Sequence, residues 1–164
     1  MSGLRRIYLL FYLAGLAVVA LAGWVQQAPG YMDADYYYLG GVQLAEGKGF
    51  WEDVLWNYLD DPAGLPHPSH AYWMPLASIL AAGGMLAAGM TSFWAAKIPF
   101  VFLAAGVPVV SAALGYRLTG RRGLAWLAGL LGLAPGFYAS YVTLTETFTL
   151  YMLLGGGILL VGGA

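Results

Sequence analysis

Five apolar stretches, at residues 7–25, 71–90, 93–116, 123–141 and 148–164, take up most of this 164-residue chain. Each is about 17–25 residues long, the length that carries a helix across ~30 Å of hydrocarbon. Lipid offers no hydrogen-bond partner to an open backbone, so spans of this kind must be helices. The expected fold is therefore all-α: a polytopic integral membrane protein. With 60% hydrophobic and 9% charged residues, the chain spends few side chains on solubility. A net charge of -1 gives no basic face for nucleic acid, and the absence of cysteine removes disulfides, thiolate metal sites and cysteine nucleophiles together. The 24 glycines suit helices that approach closely within lipid.

Arg5 and Arg6 precede the first stretch and set its basic end in the cytoplasm. Ala20-Leu21-Ala22 offers a signal-cleavage pattern, but the apolar run is longer than the ~7–15 residues of a signal core, so an uncleaved first span is expected. If all five stretches crossed, the turn carrying Arg117, Arg121 and Arg122 would lie outside, against the positive-inside bias. Laying 71–90 along the outer interface moves that turn inside. This stretch is rich in Ala and Gly, carries Pro75 near its start and opens on Tyr72 and Trp73. The expected organisation is one membrane domain over 1–164: a first span in 1–26, an extracytoplasmic loop with juxtamembrane helices over 27–92, and three further spans in 93–164. The alternative has five full spans. A chain that stops inside an apolar run also reads as the front part of a longer protein.

The acidic residues are concentrated. Seven of the eight lie from Asp33 to Asp61, in the one long polar stretch, and the eighth, Glu146, stands alone between two apolar segments. Under the four-span topology Glu146 reaches the same outer surface as the Asp-rich loop. After Pro29-Gly30, Tyr37, Gly41, Leu44 and Ala45 share one face of a short amphipathic helix, which Gly47 and Gly49 are placed to end. Asp33 sits where this helix begins, either as its N-cap or as a carboxylate held at a pocket. Glu146 either starts the helix at Phe148 or serves as a second acid. Lys97 is an interfacial anchor or a phosphate ligand. The loop over 50–65, with Trp51, Trp56, Tyr58 and the acids Glu52, Asp53, Asp60 and Asp61, lines a sugar cleft or is a solvated linker. His67 and His70, three apart beside several acids, also raise a divalent metal, although the intervening Pro68 argues against it.

Asp33-x-x-x-Tyr37 opening an outer helix that closes on Leu44-Ala45-x-Gly47 resembles the lipid-linked glycosyltransferases of the GT-C class, in particular the protein O-mannosyltransferases and the aminoarabinose transferases of lipid A. His67-Pro68-Ser69-His70 stands where that family has a basic or polar residue before Pro-Pro. Lys97 matches its basic residue at the next span, Gly120-Arg121-Arg122 its cytoplasmic turn, and Leu144-Thr145-Glu146 its Leu-x-acid motif. The resemblance covers essentially the whole chain, while family proteins are about three times longer. Ala34 replaces the usual second acid of the pair, with Asp35 next to it, and Pro68-Ser69 replaces Pro-Pro. These departures point to a branch with its own acceptor.

The resemblance implies transfer of a sugar from a polyprenyl-phosphate donor to an acceptor hydroxyl on a glycan, lipid or protein, with inversion and with no required cofactor. Asp33 is then the base and Glu146 the second acid. Asp35, His67, His70 and Lys97 bind substrate, with Lys48 a further candidate for the phosphate. The competing reading is a non-catalytic membrane module of the same architecture. A transporter is disfavoured, because no span carries a charge near mid-membrane.

Overall fold

A computed structural model of the chain describes residues 2–55, 62–134 and 136–162. It is mostly helical, in the order α1 (Ser2–Val25), α2 (Met32–Ala45), β1 (Trp51–Glu52), β2 (His67–Pro68), α3 (Leu76–Ala88), α4 (Phe93–Ala104), α5 (Val107–Thr119), α6 (Arg122–Leu133) and α7 (Phe148–Gly162). Short 3-10 turns at Pro62–Gly64 and Gly136–Ser140 complete it. Gly3–Val25 and Phe93–Thr119 are each long and apolar enough to cross a membrane. At about 1.5 Å per residue, α3, α6 and α7 reach only about 18–23 Å.

The continuous helix expected over 123–141 is not formed. It stops at Leu133, and Ala134 turns away at φ -110°, ψ 75°. The reason is Pro135, which disfavours helical geometry in the residue before it. The run expected over 93–116 is likewise divided at Ala105-Gly106, where the Gly106 amide bonds back to the Leu103 carbonyl at 2.8 Å.

The chain forms two compact units. The first comprises Met1–Gln26, Val101–Thr143 and Thr147–Ala164. In it Ile7, Phe11 and Ala112 are buried together, with Leu4, Tyr8, Val109 and Leu133 packed around them. Phe11 is tilted against Trp126, ring centroids 5.0 Å apart. That approach requires Gly129, since a Cβ there would stand 2.3 Å from the Phe11 ring. Val19, Ala104 and Val142 form a second buried group.

The second unit comprises Gln27–Phe100 and Leu144–Glu146. Helix α2 ends in a Schellman turn: the Gly47 amide bonds to the Leu44 carbonyl at 3.1 Å and the Lys48 amide to the Gln43 carbonyl at 2.9 Å, with Gly47 at φ 76°. Its Gly40-Gly41 step lets α3 approach closely, because a Cβ on Gly41 would lie 2.8 Å from the Ala81 Cβ. Helix α3 meets α4 in the same way. Pro99 leaves the Ala95 carbonyl without its helical donor, and that oxygen faces Gly84, where a Cβ would be 2.3 Å away. Tyr38 of α2 meets Phe93 of α4 edge to face at 5.7 Å. The strands β1 and β2 form a minimal antiparallel ladder that pairs Trp51 with Pro68 and Glu52 with His67.

Candidate functional site: a carboxylate pair at the start of α2

The chain enters α2 from Gly30, at φ 87°, through Tyr31 in an extended conformation (φ -160°, ψ 164°). Tyr31 is therefore the N-cap, and no side chain caps the helix. The N-cap role considered for Asp33 is not realised. Asp33 sits inside the first turn with Asp35, where both carboxylates meet the positive end of the helix dipole. Asp35 is exposed and Asp33 half-buried, with Ala34 fully buried between them.

The turn Leu144–Glu146 lies against this first turn. The Thr145 hydroxyl donates to the Ala34 carbonyl at 2.8 Å, and the Tyr31 phenol donates to Glu146 Oε2 at 2.7 Å. Tyr31 and Glu146 are 115 residues apart in sequence. Glu146 is only 4% exposed. The Asp33 carboxyl pKa is raised above its ordinary value, first by its own burial and then by the negative charge of Glu146. The two acids thus share one electrostatic environment: Glu146 accepts from a neutral phenol, and its negative charge adds to burial in raising the Asp33 pKa.

Lys97 is 2% exposed and lies on α4 within the same unit. Its Nζ stands 3.8 Å from the centroid of the Trp94 ring and 4.8 Å from that of Phe93. It is not a side chain reaching out to headgroups; it is packed among aromatic faces, an arrangement suited to a desolvated cation. Lys48, by contrast, is exposed and pairs with Glu46 at 2.7 Å.

The two histidines differ. The His67 Nδ1 is 3.3 Å from Glu52 Oε1, its ladder partner, and 3.3 Å from the Pro68 carbonyl, while its Nε2 is buried without a hydrogen-bond partner among the described residues. His70 is a structural knot. Its backbone amide donates to the Tyr36 hydroxyl at 2.5 Å, and its ring nitrogens pair with Ser69 Oγ at 2.6 Å and Ser78 Oγ at 2.9 Å. Its ring also packs edge to face on Tyr36 and Phe50 at 5.2 and 5.4 Å. Burial pushes its imidazole pKa down, which favours the neutral ring. With both nitrogens engaged, His70 fastens the loop to α2 and α3 and has no ring nitrogen left for a phosphate.

Among the described residues no cluster of three or more His, Asp or Glu side chains is arranged to hold a metal ion. Trp56, Tyr58, Asp60 and Asp61 of the expected sugar cleft lie outside the described residues. Tyr31 and Thr145, which fix the carboxylate pair, and Ser78 and Tyr36, which fix His70, are the residues that sequence reasoning missed. A signal for one of them was present: Thr143, Thr145 and Thr147 crowd three hydroxyls around the lone acid of an oily region, and Thr143 and Thr145 are fully buried.

No family model, curated protein or solved structure matches this chain.

Proposed function

We propose that the protein is a membrane-embedded glycosyltransferase, or the front portion of one, that moves a sugar from a polyprenyl-phosphate donor to an acceptor hydroxyl at the outer membrane face. In this reading the N-terminus is cytoplasmic, residues 27–92 are extracytoplasmic, and about four helices span the bilayer. Asp33 takes the acceptor's hydroxyl proton as the acceptor oxygen attacks the anomeric carbon from the face opposite the phosphate. The new carbon–oxygen bond forms while the bond to the polyprenyl phosphate breaks, and the departing phosphate oxygen keeps the electron pair. Glu146, held by Tyr31, steadies the positive charge that develops on the sugar ring. Lys97 and the Nε2 of His67 supply positive charge or a donor toward the phosphate.

One observation supports this reading above the others: two carboxylates from distant parts of an acid-poor chain meet at one helix end, and the one assigned as base has its pKa raised. A general base works best when its pKa approaches the working pH. The test is Asp33→Asn in membranes supplied with a synthetic polyprenyl-phosphate sugar. Sugar transfer is expected to fall by about 10²-fold or more, while the variant still resists carbonate extraction. Transfer at the wild-type rate refutes the assignment.

A further inference from the structure

The charges of this chain are divided between its two units. All five arginines, five of the seven basic residues, belong to the first unit, and none of the eight acidic residues does. The fold collects those arginines at one end of the helices. Arg5 and Arg6 lie at the start of α1, Arg117 in the last turn of α5, and Arg121 and Arg122 at the start of α6. Packing of Leu4, Ile7, Tyr8 and Phe11 with Val109 and Ala112 sets the beginning of α1 against α5. The Arg122 guanidinium closes the arrangement from α6, lying over Gly3, where an added methyl group would stand 3.4 Å from Nη1. The α5–α6 turn is tightly made. Gly120 takes φ 66°, the Thr119 hydroxyl donates to the Gly115 carbonyl at 2.6 Å, and the Arg121 amide donates back to that hydroxyl at 3.2 Å. Arg121 and Arg122 are therefore held on a fixed corner.

All five arginines are exposed, and among the described residues none of them makes an ion pair. An isolated cluster of five like charges on one rigid end is costly to hold together unless anions share it. The same helices carry the apolar runs that suit a bilayer, which puts this basic end at the level of lipid phosphates.

We infer that the five-arginine end of the first unit is a docking surface for the headgroups of anionic phospholipids. The guanidinium groups, planar and always charged, bind phosphodiester oxygens in pairs. Arg122, lying over Gly3 at the start of α1, links the α6 end of the surface to the segment that carries Arg5 and Arg6. This inference rests on the membrane placement proposed above and is independent of the transferase chemistry.

The test uses the protein reconstituted in phosphatidylcholine bilayers and probed with spin-labelled phosphatidylglycerol or spin-labelled phosphatidylcholine. At low salt the motionally restricted fraction should favour phosphatidylglycerol severalfold, by up to about five-fold for each arginine in contact with a headgroup. Salt at about 1 M should erase the preference. Arg121→Gln with Arg122→Gln should cut it, and the matching lysine variants should keep most of it. Equal restriction of the two lipids at low salt overturns the inference, as does a preference that survives high salt or the glutamine variants. If the glutamine variants fail to fold, the salt titration of the wild-type protein still decides. Inorganic phosphate that abolishes the preference at constant ionic strength would reveal a free-phosphate site instead and also overturn it. A spectrum with no restricted component for either lipid would overturn the membrane placement itself, an outcome distinct from a lost preference.

Discussion

Thr145→Val tests whether the carboxylate pair depends on the clamp that holds it. The substitution keeps the shape of a side chain that is fully buried and removes only the hydroxyl that donates to the Ala34 carbonyl at 2.8 Å. That carbonyl keeps its place in the helical ladder of α2, so no acceptor is orphaned, and the loss of stability should be that of one neutral hydrogen bond, about 1 kcal/mol. For a chain of this size that is a fall of about 2–4 °C in melting temperature. The effect on sugar transfer should be larger. The lost bond helps seat the 144–146 turn on the start of α2, and a shift of about 1 Å between reacting groups can cost about 10²-fold in rate. A fall of about 10- to 100-fold in transfer is expected for a small loss of stability.

The second anchor is the Tyr31 phenol on Glu146, a bond to a charged group and hence worth up to about 1.5–3 kcal/mol where water is excluded. Because both bonds fix the same turn, Tyr31→Phe and Thr145→Val should not add: the double variant should lose less than the sum of the single ones. Thermal unfolding in detergent and single-turnover transfer from a synthetic donor measure the two quantities. Transfer within two-fold of wild type in Thr145→Val, with stability reduced as expected, would show that the clamp has no bearing on the site. Strict additivity would show that the two bonds hold different things.

Two further outcomes follow from the same geometry. Asp33 has a folded pKa above its ordinary 3.8, so its contribution to stability is complete below that value and is lost as pH rises through the raised folded value; Asp33→Asn should therefore gain on wild type in melting temperature as pH rises across the acid range, and parallel curves would refute this. Gly41→Ala sets a Cβ 2.8 Å from the Ala81 Cβ and 3.2 Å from the Ser78 carbonyl, whereas a Cβ on Gly83 meets nothing within 4 Å; overpacking of about 1–3 kcal/mol should outweigh the ~1 kcal/mol gain in helix propensity at Gly41, and Gly83→Ala should be neutral or stabilising, so that equal melting shifts in the two variants would contradict the tight α2–α3 contact.

Much of the helical layout was legible because hydropathy over 15–20 residues is a sum, and sums are robust to single residues. Local breaks were not. Pro135 ends α6 at Leu133 and Ala105-Gly106 divides α4 from α5, yet neither lowers the apolar content of its window. The sequence marks the start of α2 near Asp33, but not the residue that caps it. Asp is a common N-cap and Tyr is not, but the left-handed Gly30 delivers the chain to Tyr31 in an extended conformation and puts Asp33 inside the first turn. His70 was read from its residue type as a phosphate ligand. Its fate was set by Tyr36 and Ser78, residues with nothing in the sequence to mark them as its neighbours. No local motif joins the Thr145-Glu146 turn to the segment that begins at Tyr31, so the meeting of the acids is a property of the fold and not of either stretch of sequence.

The way this pair is held bears on what it can do. The Tyr31 phenol and the Ala34 carbonyl, both neutral, help seat the 144–146 turn, while every arginine of the chain belongs to the other unit. An arginine fork beside two carboxylates would lower both pKa values and lock both charges. Here the Asp33 carboxyl is instead pushed upward by burial and by its neighbour, so the fold bears an electrostatic cost that a single substitution to a basic residue would remove. Costs of this kind concentrate where a charge is needed only during a reaction. In the proposed transfer, two acids without a fixed cation between them would stabilise a transient positive centre more strongly than a pair already neutralised. Introducing such a cation at an exposed position of the first turn, as in Met32→Arg, should therefore lower the Asp33 pKa and reduce transfer together. A variant that lowered the pKa and left transfer intact would separate the carboxylate pair from catalysis.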